Sequence, residues 1–206
     1  MIFVAGATTA QAQPADDPYA TAFETFRAAF ETATDRDAAL ETAAMQLVAA
    51  VDGAPRDARA PAALMNAAVA LETVGRRESA ARVYSRIIDE VGPLVPTPEN
   101  AESLDEILVN AYLRRARLRE RAGERERALD DYVLVASSAR FARSTLSVMA
   151  ERIEEATLSA ASLLAELGRE REAARHFQRL AEGASRPSTR DIARQWLESR
   201  RPTGTR

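Results

Sequence analysis

A catalytic centre needs polar side chains that converge, and this sequence offers few candidates. His176 is the single histidine and there is no cysteine, so a His-based triad, a thiolate or a Cys/His metal site lacks its partners. The acidic pairs Asp130-Asp131 and Glu154-Glu155 are sequence neighbours, which point in different directions on a helix. No glycine-rich phosphate loop or metal-ligand spacing occurs. We therefore expect no catalytic residues, no cofactor and no metal.

Arginine is concentrated in residues 114–127, where seven arginines and three glutamates give a local charge of +4 (7 − 3). One interpretation is a basic patch for an acidic peptide, an anionic lipid or nucleic acid. The other is a solvated helix face with Arg–Glu pairs. Nucleic acid is disfavoured because the overall pI is about 5.4 and no aromatic residues interleave the arginines. We therefore expect a protein or peptide partner and no nucleic acid, and the partner is acidic if the basic-patch interpretation holds.

The elements that would position such residues are indicated by a pattern that occurs three times. It reads Gly, four residues, Ala, three residues, an aromatic, two residues and an aliphatic. The copies are Gly75/Ala80/Tyr84/Ile87, Gly123/Ala128/Tyr132/Val135 and Gly168/Ala173/Phe177/Leu180. The last three residues of each copy share one face of a helix, and glycine is favoured just after a helix ends. Each copy therefore predicts a helix A, a glycine turn and a helix B.

This pattern resembles the tetratricopeptide repeat over residues 60–185. The matching small residues of helix A are Ala68, Ala116 and Ala161, each seven positions before its glycine. Leu64 and Tyr112 stand where the family has a large apolar residue, and Thr157 departs from that rule. The glycines are 48 and 45 residues apart, whereas the family period is about 34. HEAT or armadillo units, with periods of about 40–47, are the alternative architecture.

The resemblance and the composition predict an all-α fold. We expect a right-handed α-solenoid of antiparallel helical hairpins, three of them recognisable, with additional terminal helices, over residues 18–200. Asp17 and Pro18 form a start signal for the first helix, and Thr34 with Asp37 forms a capping box for the second. Ser188 and Asp191 form a capping box for the last helix, and a disordered tail is expected at 201–206.

The third helix A carries a heptad stripe that has two interpretations. Its members are Leu146, Met149, Ile153, Ala156, Ala160, Leu163 and Leu167. Packing within the chain is the favoured interpretation. A coiled-coil contact with a second copy is the other, and it makes a structural, self-associating helical protein the alternative function. The favoured interpretation implies a monomer.

The beginning of the sequence bears on localisation. Residues 1–12 end in Ala10-Gln11-Ala12, a signal-peptidase pattern, and flexible, acidic sequence follows at 13–17. The basic n-region is missing, so a truncated signal peptide is expected, and with it an exported, periplasmic bacterial protein. A cytoplasmic protein is the alternative. No run reaches the roughly 18 apolar residues of a membrane span.

The resemblance also implies a function and a surface. Proteins of this family hold other proteins in a groove lined by exposed positions of the A helices. The matching positions here are Met65, Asn66, Val69, Leu113, Arg114, Arg117, Leu158 and Ser162. Asn66 matches a position that some members use to hold a carboxylate, although the accompanying lysines are absent and Arg114 is the nearest substitute. We expect a non-enzymatic scaffold for a protein or peptide with apolar anchors, in an envelope assembly.

Overall fold

The computed structural model describes residues 17–31, 34–94, 97 and 100–200. All regular structure in these residues is helical, which confirms the all-α prediction. The α-helices are α1 (Pro18–Glu31), α2 (Arg36–Gly53), α3 (Ala60–Thr73), α4 (Arg77–Val91), α5 (Ala101–Arg121), α6 (Arg125–Ser137), α7 (Ser147–Glu166), α8 (Glu170–Gly183) and α9 (Pro187–Ser199), with a short 3-10 helix at Phe141–Arg143. The expected leader at 1–12, most of the segment at 13–17 and the tail at 201–206 lie outside the described residues.

The helices belong to two compact units, Met1–Thr97 and Pro98–Arg206. In the first unit, α1 packs on α2, α2 on α3, and α3 on α4. In the second, the same succession runs from α5 to α9, and α5 also contacts α7. Each helix thus packs mainly on its neighbours in sequence, which is the arrangement of a helical repeat protein.

The three repeat glycines form the same turn. Gly75, Gly123 and Gly168 have φ angles of 78°, 79° and 75°, a left-handed conformation that glycine adopts without a steric penalty. In each turn, the residue after the glycine donates its N–H to the carbonyl five residues earlier, at 2.8 Å. The glycine N–H donates to the carbonyl three residues earlier, at 2.9–3.1 Å. This pair of bonds satisfies the last carbonyls of helix A and ends it.

The residues of the repeated pattern form the core of each hairpin. Ala80, Ala128 and Ala173 are completely buried, as are the helix-A alanines Ala68, Ala116 and Ala161. The aromatic and aliphatic residues that follow are also in the core, with at most 3% of their surface exposed: Tyr84, Ile87, Tyr132, Val135, Phe177 and Leu180. Burying small residues where helices A and B meet lets the backbones approach, and the larger side chains fill the adjacent space.

The heptad stripe of α7 packs inside the second unit. Met149, Ala156, Ala160 and Leu163 are buried, and the remaining members are half-buried. The helices that flank α7 are α6 and α8. The heptad spacing of these apolar residues therefore reflects the packing of α7 between two helices of the same chain.

Two helix starts differ from the capping boxes expected from the sequence. The cap of α2 is Asp35, whose Oδ1 accepts a hydrogen bond from the N–H of Ala38 at 3.3 Å, so the prediction of Thr34 is wrong by one residue. The start of α9 has no side-chain cap of its own, since Ser188 lies inside the helix and Arg186 precedes it. The carboxylate of Glu154 on α7 accepts the N–H groups of Ser185 and Arg186 just before the helix begins. The start signal at Asp17 is confirmed, since its Oδ1 accepts from the N–H of Tyr19 at 3.0 Å.

The terminal helix α9 covers the last hairpin of the second unit. Trp196 stacks on Phe177, with ring centroids 4.4 Å apart, and the guanidinium of Arg200 lies over the Trp196 ring. Covering the final apolar face is what a terminal helix of a repeat protein is expected to do. In the part of the chain that the structure describes, no helix is both long and apolar enough to span a bilayer.

Candidate partner-binding surface

The expected groove positions differ in accessibility. Leu113 is only 1% exposed, and Met65 and Asn66 are also buried. Val69, Arg114, Arg117 and Leu158 are half-buried, and Ser162 is exposed. Met65, Asn66 and Val69 lie on α3 in the first unit, and the other five lie on α5 and α7 in the second. The structure therefore leaves Arg114, Arg117, Leu158 and Ser162 as the accessible candidates of the second unit, and Val69 as that of the first.

In the second unit, an ion pair joins the two A helices. Arg117 on α5 pairs with Glu155 on α7, and Glu155 also accepts from Arg152 at 3.1 Å. The side chain of Arg117 is 41% exposed, so the bridge lies at the surface. A ligand that approaches α5 and α7 here meets a paired arginine and a carboxylate together.

The rest of the arginine-rich segment is also engaged within the chain. Arg115 donates two hydrogen bonds to Asp131 on α6, at 2.7 and 3.0 Å, and Arg119 donates to the same carboxylate at 2.8 Å. Arg125 pairs with Glu166, and Arg127 pairs with Glu124. With Arg117, at least five of the seven arginines have a carboxylate partner. The arginines are thus mostly paired, as the second interpretation expected, but most of the pairs join different helices and not residues along one helix face.

Asp131 is the centre of this network, and the sequence reasoning missed it. It is 3% exposed, although its neighbour Asp130 is exposed. The two arginines satisfy both carboxylate oxygens, which a buried charge requires. The signal that the sequence offered was the position of these charged residues beside buried residues of their helices. Asp131 directly precedes the core tyrosine Tyr132, and Arg115 lies next to the core alanine Ala116.

A hydrogen bond that recurs in two of the hairpins was also missed. The hydroxyl of Tyr84 donates to Glu72 at 2.9 Å, and that of Tyr132 donates to Glu120 at 2.6 Å. Both glutamates stand three positions before the turn glycine, so the bond joins the end of helix A to the middle of helix B. Burial raises the pKa of Tyr132, and the bond to Glu120 raises it further, so this hydroxyl stays protonated. The third copy has Ala165 and Phe177 at these positions, and the covariation was visible in the sequence.

Glu154 holds the turn between α8 and α9. Its carboxylate accepts the N–H and the hydroxyl of Ser185 at 2.8 and 2.7 Å, and the Nε of Arg186 at 3.2 Å. Burial by itself raises the pKa of Glu154, but hydrogen bonds from Ser185, Thr189 and Arg186 outweigh it and lower the pKa to about 2. Glu155 contacts Arg117 and Arg152 instead, so the two adjacent glutamates serve different contacts.

His176 lies half-buried on α8. Burial lowers its pKa, the nearby charges of Arg179 and Arg175 lower it further, and Glu172 acts in the opposite direction. The imidazole is therefore neutral at pH 7. Within the described ranges, no group of three or more acidic, histidine or cysteine side chains is arranged to hold a metal ion.

No protein-family model matches the sequence, and no curated protein matches it significantly.

Proposed function

We propose that the chain is a non-enzymatic scaffold of the tetratricopeptide-repeat type that binds a partner protein or peptide. The observation that supports this best is the three-fold recurrence of one hairpin, with the same glycine turn and the same buried alanines. Repeats of this kind leave one surface of each A helix uncovered, and such surfaces bind peptides. The recurrent turn favours this type over HEAT or armadillo units, despite the longer period.

In the second unit, the proposed contact surface consists of Arg114, Arg117, Leu158 and Ser162. Ser162 is exposed and the other three are half-buried, so all four offer atoms to a ligand. A partner with a carboxylate near an apolar side chain matches this surface, because it can share Arg117 with Glu155 while contacting Leu158. Leu113 is left out because its side chain is in the core.

The test uses a partner captured by the chain starting at Gln13 and then purified. Ser162→Arg places a bulky charge on this surface, and we expect it to weaken binding of that partner at least about tenfold. Ser188→Arg makes the same change at an exposed position on α9 and is expected to leave the affinity unchanged. Equal affinities of the parent and Ser162→Arg, with both proteins folded, would place the binding surface elsewhere.

Self-association through residues 146–167 is the alternative function. It requires an accessible heptad stripe, and the members of this stripe are buried or half-buried within the second unit. We therefore favour a monomer. Light scattering of the purified chain separates the two functions, since a stable dimer at micromolar concentration would support self-association and contradict the scaffold model.

We also propose that the scaffold acts in the periplasm of a bacterium. The support is the sequence pattern Ala10-Gln11-Ala12, followed by acidic residues. If this segment is cleaved, the mature chain begins at Gln13, and N-terminal sequencing of protein expressed with its natural upstream region tests the cleavage. An intact Met1 in the cytosolic fraction would favour the cytoplasmic alternative.

A further inference from the structure

The helix α8 carries a stripe of three exposed arginines. Arg171, Arg175 and Arg179 are spaced four residues apart, so they follow one another along the same side of the helix. Helix geometry gives a rise of about 6 Å between successive members. We call these three residues the α8 stripe. It lies on a B helix, whereas the surface proposed above lies on A helices.

The side chains of the α8 stripe make no ion pair or hydrogen bond within the part of the chain that the structure describes. The acidic residues of α8 are engaged elsewhere. Glu172 accepts from Arg169 at 2.8 and 2.9 Å, Glu170 lies 3.7 Å from Arg200, and Glu182 accepts from Gln178 at 3.0 Å. The α8 stripe therefore has no ion pair within its own helix, although the charge of Arg175 contributes, after the hydrogen bonds from Arg169, to lowering the pKa of Glu172.

The other two repeats provide an internal comparison. The positions that match the stripe are Glu78, Arg82 and Arg86 in the first copy, and Glu126, Asp130 and Leu134 in the second. In the first copy, Arg82 pairs with Glu78 at 2.5 Å, and Arg86 pairs with Asp52 and Glu90 at 2.6 and 2.5 Å. Three arginines without acidic partners thus distinguish the third copy. Like charges four residues apart destabilise a helix slightly, so helix stability does not account for them.

We propose that the α8 stripe binds an acidic segment of a partner protein, with carboxylates about 6 to 7 Å apart. An acidic helix with a carboxylate every four residues provides this spacing, and so does an extended segment with acidic residues at alternate positions. Each carboxylate then lies opposite one guanidinium. Arginine suits this contact because its planar head binds a carboxylate with two hydrogen bonds.

Charge and composition favour a protein segment over a larger polyanion. The whole chain has a net charge of −3, and residues 101–206, which include the stripe, have only +3 (20 arginines against 17 acids), a weak attraction for an extended anionic surface. A short segment responds to charges within a Debye length, about 8 Å at physiological salt. The side chains beside the stripe include Ala174 and Gln178 on one flank and Glu172 and the half-buried His176 on the other. They provide no apolar anchor for a bilayer, and one half-buried imidazole is not a row of rings on which successive bases stack.

The test measures binding of a labelled helical peptide that has glutamate at every fourth position, with glutamine replacing glutamate in the control peptide. The parent chain is compared with the triple variant Arg171→Gln, Arg175→Gln, Arg179→Gln. A matched triple variant, Arg76→Gln, Arg82→Gln, Arg127→Gln, removes the same charge from arginines that are 63–71% exposed and have carboxylate partners. Circular dichroism verifies the fold. If either triple variant is unfolded, two single variants replace them: Arg175→Glu for the stripe and Arg82→Glu as its matched control.

We expect the parent to bind the glutamate peptide and not the glutamine peptide, with affinity that falls as salt is added. The stripe variant should lose about tenfold or more, because three exposed charge pairs are removed, and the matched variant should stay within about threefold. Equal losses in the two variants, or no binding of the glutamate peptide at low salt, would overturn the proposal. So would stripe-dependent binding of phosphatidylglycerol vesicles or single-stranded DNA without binding of the peptide. None of these variants changes Arg114, Arg117 or Ser162, so the outcome is independent of the A-helix surface.

Discussion

At the scale of single residues, two buried carboxylates join elements that are distant in sequence. Glu154 is 7% exposed and holds the segment before α9 through Ser185 and Arg186. Asp131 joins α6 to α5 through Arg115 and Arg119. A buried carboxylate is favourable only while its hydrogen bonds are complete, so each one makes stability depend on a single side chain.

We predict that Glu154→Gln destabilises the protein by about 2 kcal/mol, because an amide cannot accept all the donors that now meet a charged carboxylate. The loss should be seen first at α9, where Trp196, the single tryptophan, reports through its fluorescence. Glu151→Gln, at an exposed position on the same helix, should stay within about 0.5 kcal/mol. The two variants are compared by urea unfolding, and equal midpoints would contradict the assigned role of Glu154.

The same carboxylate predicts a pH dependence. The folded pKa of Glu154 is about 2, below its ordinary value of 4.5. The stabilisation is therefore complete above the unfolded pKa and is lost as the pH falls from about 4.5 to about 2. Across this range, the difference in unfolding free energy between the parent and Glu154→Gln should shrink. A constant difference would show that the charge of Glu154 does not contribute.

For Asp131→Asn, we predict a loss of about 3 kcal/mol or more, because two arginines lose their shared counter-charge in a largely buried site. The side chain of Arg115 is only 11% exposed, so water replaces the missing partner poorly. Asp130→Asn is the matched control, since Asp130 is the exposed neighbour. Thermal unfolding should separate the two variants clearly, and similar midpoints would mean that the network is not stabilising.

At the scale of elements, the glycine turn sets where helix A ends and helix B begins. Ala in place of Gly123 would meet no atom within 4 Å, so its effect comes from the backbone conformation alone. At a φ of 79°, this conformation costs a residue with a Cβ about 1–2 kcal/mol. Gly123→Ala should therefore destabilise the chain by about that amount.

Gly53→Ala provides the control for this turn. Gly53 ends α2, a Cβ there also meets no atom within 4 Å, and its φ is not positive. Replacing it should be neutral or stabilising by up to about 1 kcal/mol, because alanine loses less backbone entropy on folding. Chemical denaturation of both variants checks the pair, and destabilisation of both by the same amount would contradict the explanation from φ.

Within a hairpin, the tyrosine–glutamate bond couples helix B to the end of helix A. Tyr132→Phe should cost about 1 kcal/mol, the typical value of one hydrogen bond, because the ring keeps its packing. A double-mutant cycle with Glu120→Ala, which removes the acceptor, isolates this bond. Additive effects of the two changes would show that the bond contributes nothing. The third hairpin already carries Phe177 and has no glutamate at the equivalent position.

At the scale of the whole molecule, one small residue recurs at each contact between helices A and B. Ala128 is completely buried, so Ala128→Leu should overpack the contact and destabilise the protein by about 1–3 kcal/mol. Ala150→Leu, at an exposed position of α7, should stay within about 0.5 kcal/mol. A thermal midpoint of Ala128→Leu at or above that of the parent would contradict the repeat assignment.

The sequence by itself determined the helical class, the three turns and the face that each hairpin buries. Gly75, Gly123 and Gly168 were predictable because a left-handed turn strongly prefers glycine, and the alanines that follow them were predictable because a helix has a fixed period. These are local properties of the chain. The Tyr–Glu covariation is also visible in the repeats, but only the structure drew attention to it by showing the hydrogen bond.

Only the tertiary structure decided which charged side chains are neutralised. Arg115 and Arg119 meet Asp131, and Arg117 meets Glu155, across 12 to 38 residues of sequence, so no local rule could pair them. Most arginines of the segment that was expected to bind a partner are therefore paired with carboxylates of the same chain. The arginines of the α8 stripe, in contrast, form no ion pair in the described residues. Burial of Leu113 was likewise undetermined, because a helix with apolar residues on two faces does not reveal which of them its neighbours cover.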